Sequence, residues 1–145
     1  MKVKEIMRHD PTFIRANDTI IDAAKSMEKL DCGVLPIGES THCIGIITDR
    51  DIVLRAIAKD KDIKTTKVSD MMSKMVYVCH EDDNLDKVAS IMREHKTNRL
   101  VVKNKDEKIT GIVNFGKMIA KTEDKDLIHR IIGCLFPSTK QAVSA

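Results

Sequence analysis

Apolar and polar positions along this chain follow two spacings, and the spacings recur in the same order twice. Ile20, Ala23, Ala24 and Met27 fall at i, i+3, i+4 and i+7, which predicts an amphipathic helix. Leu85, Val88, Ala89 and Met92 repeat that spacing and predict a second. Thr19 or Asp18 stands where the first helix needs an N-cap, and Asn84 or Asp83 where the second does. A short β-like segment precedes each helix: Thr12-Phe13-Ile14 in one case, Val76-Tyr77-Val78 in the other. Two short strands follow each. They are Val34 to Ile37 and Cys43 to Ile47, then Leu100 to Lys103 and Ile109 to Val113, with polar loops between them. A further helix closes each set, starting near Asp49 and near Phe115.

The recurrence is a sequence repeat. Offset by 65 residues, VKEIM (3–7) falls on VSDMM (68–72), and DTIIDAAKSM (18–27) on DNLDKVASIM (83–92). LPI (35–37) falls on LVV (100–102). After one extra residue in the second copy, GIITDRDIV (45–53) falls on GIVNFGKMI (111–119). Each copy is a β-α-β-β-α unit of about 60 residues, too small to bury much core alone. The fold expected is therefore α/β (α+β): two repeats, 1–61 and 62–121, packed about a pseudo-twofold axis. A third segment, 122–145, holds a C-terminal helix with a Leu127, Ile128, Ile131, Ile132, Leu135 stripe, and a frayed tail from Pro137.

Composition narrows the function. The 145 residues are 42% hydrophobic and 32% charged, as in a soluble globular protein. The 25 basic and 22 acidic residues are interspersed, so no patch is built to neutralise many phosphates. Three Phe, one Tyr and no Trp leave little with which to stack bases, which argues against nucleic acid. No apolar run approaches the roughly 20 residues that span a bilayer, and MKVKEIMRHD lacks a signal-peptide core. The expected location is cytoplasmic, which suits four scattered cysteines, Cys32, Cys43, Cys79 and Cys134.

Catalytic and metal signatures are weak. In His42-Cys43 and Cys79-His80 the neighbours on a strand point to opposite faces, so neither pair chelates easily. There is no C-x-x-C, H-E-x-x-H or G-x-S-x-G, and Gly38-Glu39-Ser40-Thr41 lacks the ending of a phosphate loop. Neither a catalytic group nor a metal site is expected.

The stretch with chemical promise is GIITDRDIVLRA, 45–56, where an oily strand turns abruptly charged. Thr48-x-x-Asp51 approximates a capping box, in which a hydroxyl and a carboxylate satisfy free backbone N–H groups. The same pair could hold a ligand, because one carboxylate can accept from both hydroxyls of a ribose diol and phosphate seeks hydroxyls and free N–H groups. Taken alone, the four residues favour the cap.

The surrounding order of motifs changes that balance. V-x-x-I-M, D-P-T-F-I-x-x-N-D-T-I-x-x-A, G-V-L-P-I and G-I-I-T-D-R-D, with G-I-V-N-F-G-K in the second copy, resemble a pair of CBS domains, a Bateman module. The resemblance covers about residues 1 to 121. It implies a regulatory module, not an enzyme, that needs no cofactor but binds an adenosine-containing ligand between its repeats. AMP, ADP, ATP, S-adenosylmethionine and NAD are the ligand types. It further implies that Thr48 meets phosphate and Asp51 the ribose. Ile46 would pack on the base, Met72 and Tyr77 flank it, and Thr97 and Asn98 read its edge; Ile46 and Met72 fit a plain core as well.

The second copy departs from the pattern. Asn114 replaces the Thr, and Lys117 replaces the Asp. A lysine has no acceptor for a diol, though Lys117 could meet phosphate, alone or with Arg99; a solvated lysine fits equally. Met7, Thr12, Cys32 and Gly33 would line that degenerate site. With no effector domain evident, the expected output is to a partner protein. Ile52, Val53, Ala56 and Ile57, with Met118 and Ile119, would serve a homodimer. The alternative is an assembly module that binds no ligand.

Overall fold

The computed structural model describes residues 1–136, apart from the side chains of Cys134 and Leu135. The elements run β1 (Arg8–His9), α1 (Ile20–Leu30), β2 (Val34–Glu39), β3 (His42–Thr48), α2 (Asp49–Asp51), α3 (Val68–Met71), β4 (Val78–His80), α4 (Leu85–Glu94), β5 (Arg99–Lys103), β6 (Ile109–Asn114), α5 (Phe115–Lys121) and α6 (Lys125–Leu135). Helix α2 continues directly into a π-helical stretch, Ile52–Ala56, and a 3-10 turn, Ile57–Lys59. Both expected caps form: Thr19 Oγ1 accepts from the Asp22 N–H, and Asn84 Oδ1 from the Lys87 N–H.

The chain forms two compact units. One holds Asp10–Val76 and Glu107–Ile109; the other holds Met1–His9, Tyr77–Asp106 and the chain from Thr110. The units cut across the sequence copies. The first nine residues belong with the second copy's strands, and the lead-in to the second copy belongs with the first copy's strands.

In the unit around the first copy, β2 and β3 form an antiparallel hairpin, with Leu35 opposite Ile47 and Ile37 opposite Gly45. Helix α1 lays Ile20, Ala23 and Met27 against Leu35, Ile37 and Ile47, all buried. The segment after α3 pairs with β3: the Ile46 N–H donates to the Ser73 carbonyl (3.0 Å) and the Ser73 N–H to the Ile46 carbonyl (2.8 Å). That backbone approach explains Gly45. A Cβ there would lie 2.7 Å from the Met72 sulfur and 2.7 Å from the Ser73 carbonyl oxygen, closer than packed atoms allow.

The other unit repeats the construction. Its sheet has the order β1-β6-β5-β4, with Arg8 opposite Ile112 and His9 opposite Gly111. A Cβ on Gly111 would lie 2.5 Å from the Met7 sulfur. Leu85, Val88, Ala89 and Met92 are buried, as their spacing predicts. Helix α6 packs on α4, burying Leu127 and Ile131, and Arg130 Nε meets Asp86 Oδ1 at 3.1 Å. Of the α6 stripe, Ile132 is 42% exposed and Leu135 lies outside the described side chains, as the tail from Pro137 lies outside the described residues.

Two expectations need correction. Thr12-Phe13-Ile14 is not a strand but a single parallel bridge, Ile14 to Ile37, and the second copy's segment pairs at Val78–His80 rather than Val76–Val78. Burial sets the register in both, because Ile14 and Cys79 are the residues turned into the core. Among the residues offered for a dimer face, Ile52, Ala56 and Met118 are also buried. Only Val53 and Ile57, with the neighbouring Leu54, expose large apolar surface there.

Candidate functional site

The Thr48–Asp51 turn forms where β3 ends. Thr48 has extended backbone, φ −114° and ψ 161°, and the chain then enters α2. The Asp51 N–H donates to Thr48 Oγ1 (3.0 Å), and the Thr48 N–H donates to Asp51 Oδ2 (3.0 Å). The capping box is therefore real and reciprocal. It leaves much of the chemistry available: the Asp51 Oδ1 receives no hydrogen bond from any described residue, and Arg55 Nε lies 3.6 Å from it. The side chain of Asp51 is 14% exposed, so this oxygen is partly desolvated, a setting in which a hydrogen-bonded diol gains more than in bulk water.

Ile46 pairs with Ser73, the residue after Met72, and Ile46 and Met72 belong to the same unit as the turn. Both are half-buried rather than core. Gly33 meets the start of α2, its carbonyl accepting from the Asp49 N–H at 3.0 Å. Cys32 follows the turn that ends α1, where Asp31 takes the left-handed conformation (φ 49°). Cys32 and Gly33 line an open hollow of about 400 Å³ with Met27, Glu28, Asp31 and Asp49; Thr48 and Asp51 do not line it. Thr12 is exposed.

Tyr77, Thr97 and Asn98 lie in the other unit. The Tyr77 ring stacks on His95 with centroids 4.0 Å apart and planes at 16°. The Thr97 hydroxyl is engaged by Arg99, donating to its carbonyl (3.1 Å) and accepting from its N–H (3.3 Å). The Asn98 carbonyl accepts from the Phe115 N–H (3.0 Å), as Gly33 does from Asp49. In this unit Asn114 caps α5 by accepting from the Lys117 N–H (2.8 Å). There is no carboxylate to return a bond. Met7 is buried beneath Gly111.

Two groups escape the reading of the sequence. Arg55 donates to the Met72 carbonyl (3.0 Å) and to the Met71 carbonyl (3.4 Å) while facing Asp51. The signal was an arginine four residues after the aspartate, a spacing at which side chains meet on one helix face. Asp82 binds Lys4 and Lys2, at 2.9 and 3.1 Å, and these hydrogen bonds hold its carboxyl down at about 2. Cys79 lies in the core, and burial pushes its thiol up to about 12, so it is not a nucleophile. Among the described residues no three His, Cys, Asp or Glu side chains are grouped to hold a metal ion, and no helix is long and apolar enough to cross a membrane.

Comparison with known proteins gives the geometry a family. The CBS domain model matches residues 3–57 and 68–121. The uncharacterized protein YlbB of Bacillus subtilis is 35% identical over 119 residues, 81% of this chain and 79% of YlbB. The crystal structure of Hypoxic Response Protein I with two coordinated zinc ions superposes with a TM-score of 0.73 at 27% identity, over 84% of this chain and 99% of that one. The CBS domain pair of protein MJ0100, in complex with 5′-methylthioadenosine and S-adenosyl-L-methionine, superposes with a TM-score of 0.72 at 30% identity, over 81% of this chain and 92% of that one. With the model matched twice over most of its length, the chain belongs to the CBS-domain family, as a CBS domain pair.

Proposed function

We propose that this CBS pair is a regulatory module, without catalytic activity, that binds an adenosine-containing ligand at the Thr48–Asp51 turn and passes the signal to a partner protein. The observation that carries the reading is Asp51 Oδ1, which receives no hydrogen bond from any described residue and faces Arg55 at 3.6 Å, in the unit that also holds the half-buried Ile46 and Met72. A carboxylate oxygen with open lone pairs accepts from a ribose diol, the Thr48 hydroxyl serves phosphate, and the two apolar side chains offer a face to a ring. Adenosine compounds bound by the MJ0100 pair support the ligand class. In the other unit Lys117 offers no acceptor, so the Asn114–Lys117 turn is the weaker site. The exposed Val53, Leu54 and Ile57 are the surface for a second copy of the chain.

A ligand-free assembly module is the second reading, favoured by the reciprocal cap: Thr48 and Asp51 satisfy each other as they stand. Melting temperature with AMP, ADP, ATP, S-adenosylmethionine and NAD separates the two. A ligand at 100 times its dissociation constant stabilises the folded state by about 2.7 kcal/mol. A rise with one compound, absent in Asp51→Ala, is the expected result. No rise with any of the five leaves the assembly reading standing.

A further inference from the structure

The residue with the most unexplained contacts is Arg55. Its guanidinium reaches two places at once. Nη1 donates to the carbonyls of Met72 (3.0 Å) and Met71 (3.4 Å), and Nε lies 3.6 Å from Asp51 Oδ1. The carbonyls belong to the end of α3, where helical carbonyls lack partners of their own. Met72 is also the residue whose side chain covers Gly45, next to Ile46. One side chain therefore faces the carboxylate and binds the backbone of the residue that supplies one of the candidate site's apolar side chains.

The backbone around it is unusual. Directly after Asp51 the chain leaves α-helical bonding for the π-helical stretch Ile52–Ala56, and Arg55 lies inside it. Such stretches are uncommon and concentrate at functional sites. The matched helix in the other unit supplies an internal control: α5 is α-helical throughout Phe115–Lys121. There Lys117 matches Asp51 and Lys121 matches Arg55. Lys121 is exposed, and its side chain makes no ion pair or hydrogen bond with any described residue. The acid–base pair, the π stretch and the bridge to the Met71–Met72 segment occur together at this turn and, among the described residues, are absent together from its counterpart.

We propose that Arg55 is a positioning residue for the ligand: it aims the Asp51 carboxylate at the ribose diol and couples it to the Met71–Met72 backbone. The proposal rests on the reading of Thr48 and Asp51 as the ligand's anchor. The chemistry requires arginine. A planar guanidinium donates from separate edges in fixed directions, whereas an ammonium is a point charge that cannot hold both partners in one geometry. The coupling also gives the signal a route. Ligand that draws on the Asp51 carboxylate changes what Arg55 holds, and Met71–Val76 is the last stretch of this unit before the chain passes to the other.

The test is calorimetric titration of AMP, 2′-deoxy-AMP and adenosine into wild type, Arg55→Ala and Arg55→Lys. Wild type is expected to prefer AMP over 2′-deoxy-AMP by about tenfold or more, the worth of a hydrogen bond to a charged group. Both variants should lose most of that preference while keeping the preference of AMP over adenosine. Arg55→Lys retains the charge and gives the answer if Arg55→Ala does not fold. Equal weakening of AMP and 2′-deoxy-AMP would mean that Arg55 only caps α3, and overturns the proposal. Loss of the AMP-over-adenosine preference instead would make Arg55 a phosphate group, which also overturns it. If wild type binds none of the three probes, the proposed role of Arg55 toward an AMP ribose falls, and the five-compound melting series decides the nucleotide reading separately; binding with unchanged ratios removes Arg55 alone.

Discussion

At Thr48 the last strand of the first copy ends, and a hydroxyl accepts the N–H three residues on at 3.0 Å. At Asn114 the second copy does the same with a carboxamide oxygen at 2.8 Å. The backbone task is equal in both: each cap satisfies an N–H that the following turn leaves without a partner. The third residue after the cap is what differs. Asp51 returns a hydrogen bond with one oxygen and keeps the other, whereas Lys117 brings a cation and no acceptor. A turn needs only the cap. A carboxylate in a box that is already closed, with an arginine facing its spare oxygen, exceeds what the turn requires. That surplus is the argument for a ligand at one turn and not at its twin.

The comparison can be broken most sharply at Asp51. Asp51→Ala is expected to weaken adenosine-ligand binding at least a hundredfold, about 2.7 kcal/mol, by calorimetry. Lys117→Ala should leave affinity within about twofold and melting temperature nearly unchanged, as surface substitutions do. Equal affinities in wild type and Asp51→Ala would erase the distinction between the turns.

Next in size are the glycines beneath the two methionines. Gly45→Ala and Gly111→Ala each place a Cβ against a sulfur and a carbonyl oxygen within 3 Å. Denaturant unfolding should show a loss of about 1–3 kcal/mol for each, the usual cost of overpacking. Gly45→Ala should in addition impair ligand binding, because Met72 must move; Gly111→Ala should not.

Thr48→Ala and Asn114→Ala remove one cap each and should cost about 1 kcal/mol apiece in the same measurement. Only Thr48→Ala should also lower affinity for phosphate-bearing ligands relative to adenosine.

The smallest effect separates the units by pH. Hydrogen bonds from Lys4 and Lys2 hold the Asp82 carboxyl at about 2, against an ordinary value of 3.8. A depressed carboxyl contributes its stability above the ordinary value and loses it as pH falls toward the depressed one. Acid titration of wild type and Asp82→Asn should therefore diverge above about pH 4 and converge near pH 2. The fully exposed setting keeps the difference small and makes it shrink with added salt.

Much of the fold was legible in the sequence because it depends on near neighbours. The i, i+3, i+4, i+7 spacing placed α1 and α4, and the alternating strands ended where the Gly-apolar-apolar runs met polar residues. The caps at Thr19, Asn84, Thr48 and Asn114 involve partners three residues away, so local pattern predicts them. The first β-like segment was misplaced in both copies because its pairing residue is chosen by burial against a distant strand, which local propensity does not report.

The sequence by itself determined the repeat, its two long amphipathic helices with the strand pair after each, and the chemical difference between Asp51 and Lys117. Only the tertiary structure decided which lead-in segment lies on which strand. Ile6-Met7 and Met71-Met72 carry similar patterns, and Gly45 and Gly111 are equivalent seats, so pattern alone permits either pairing. Packing chose Met72 for Gly45 and Met7 for Gly111. It also brought Arg55 to the carbonyls of Met71 and Met72 and seated α6 on α4. These contacts join residues 16 to 104 positions apart, and their energy comes from burying surface and satisfying backbone groups jointly, which no window of sequence contains.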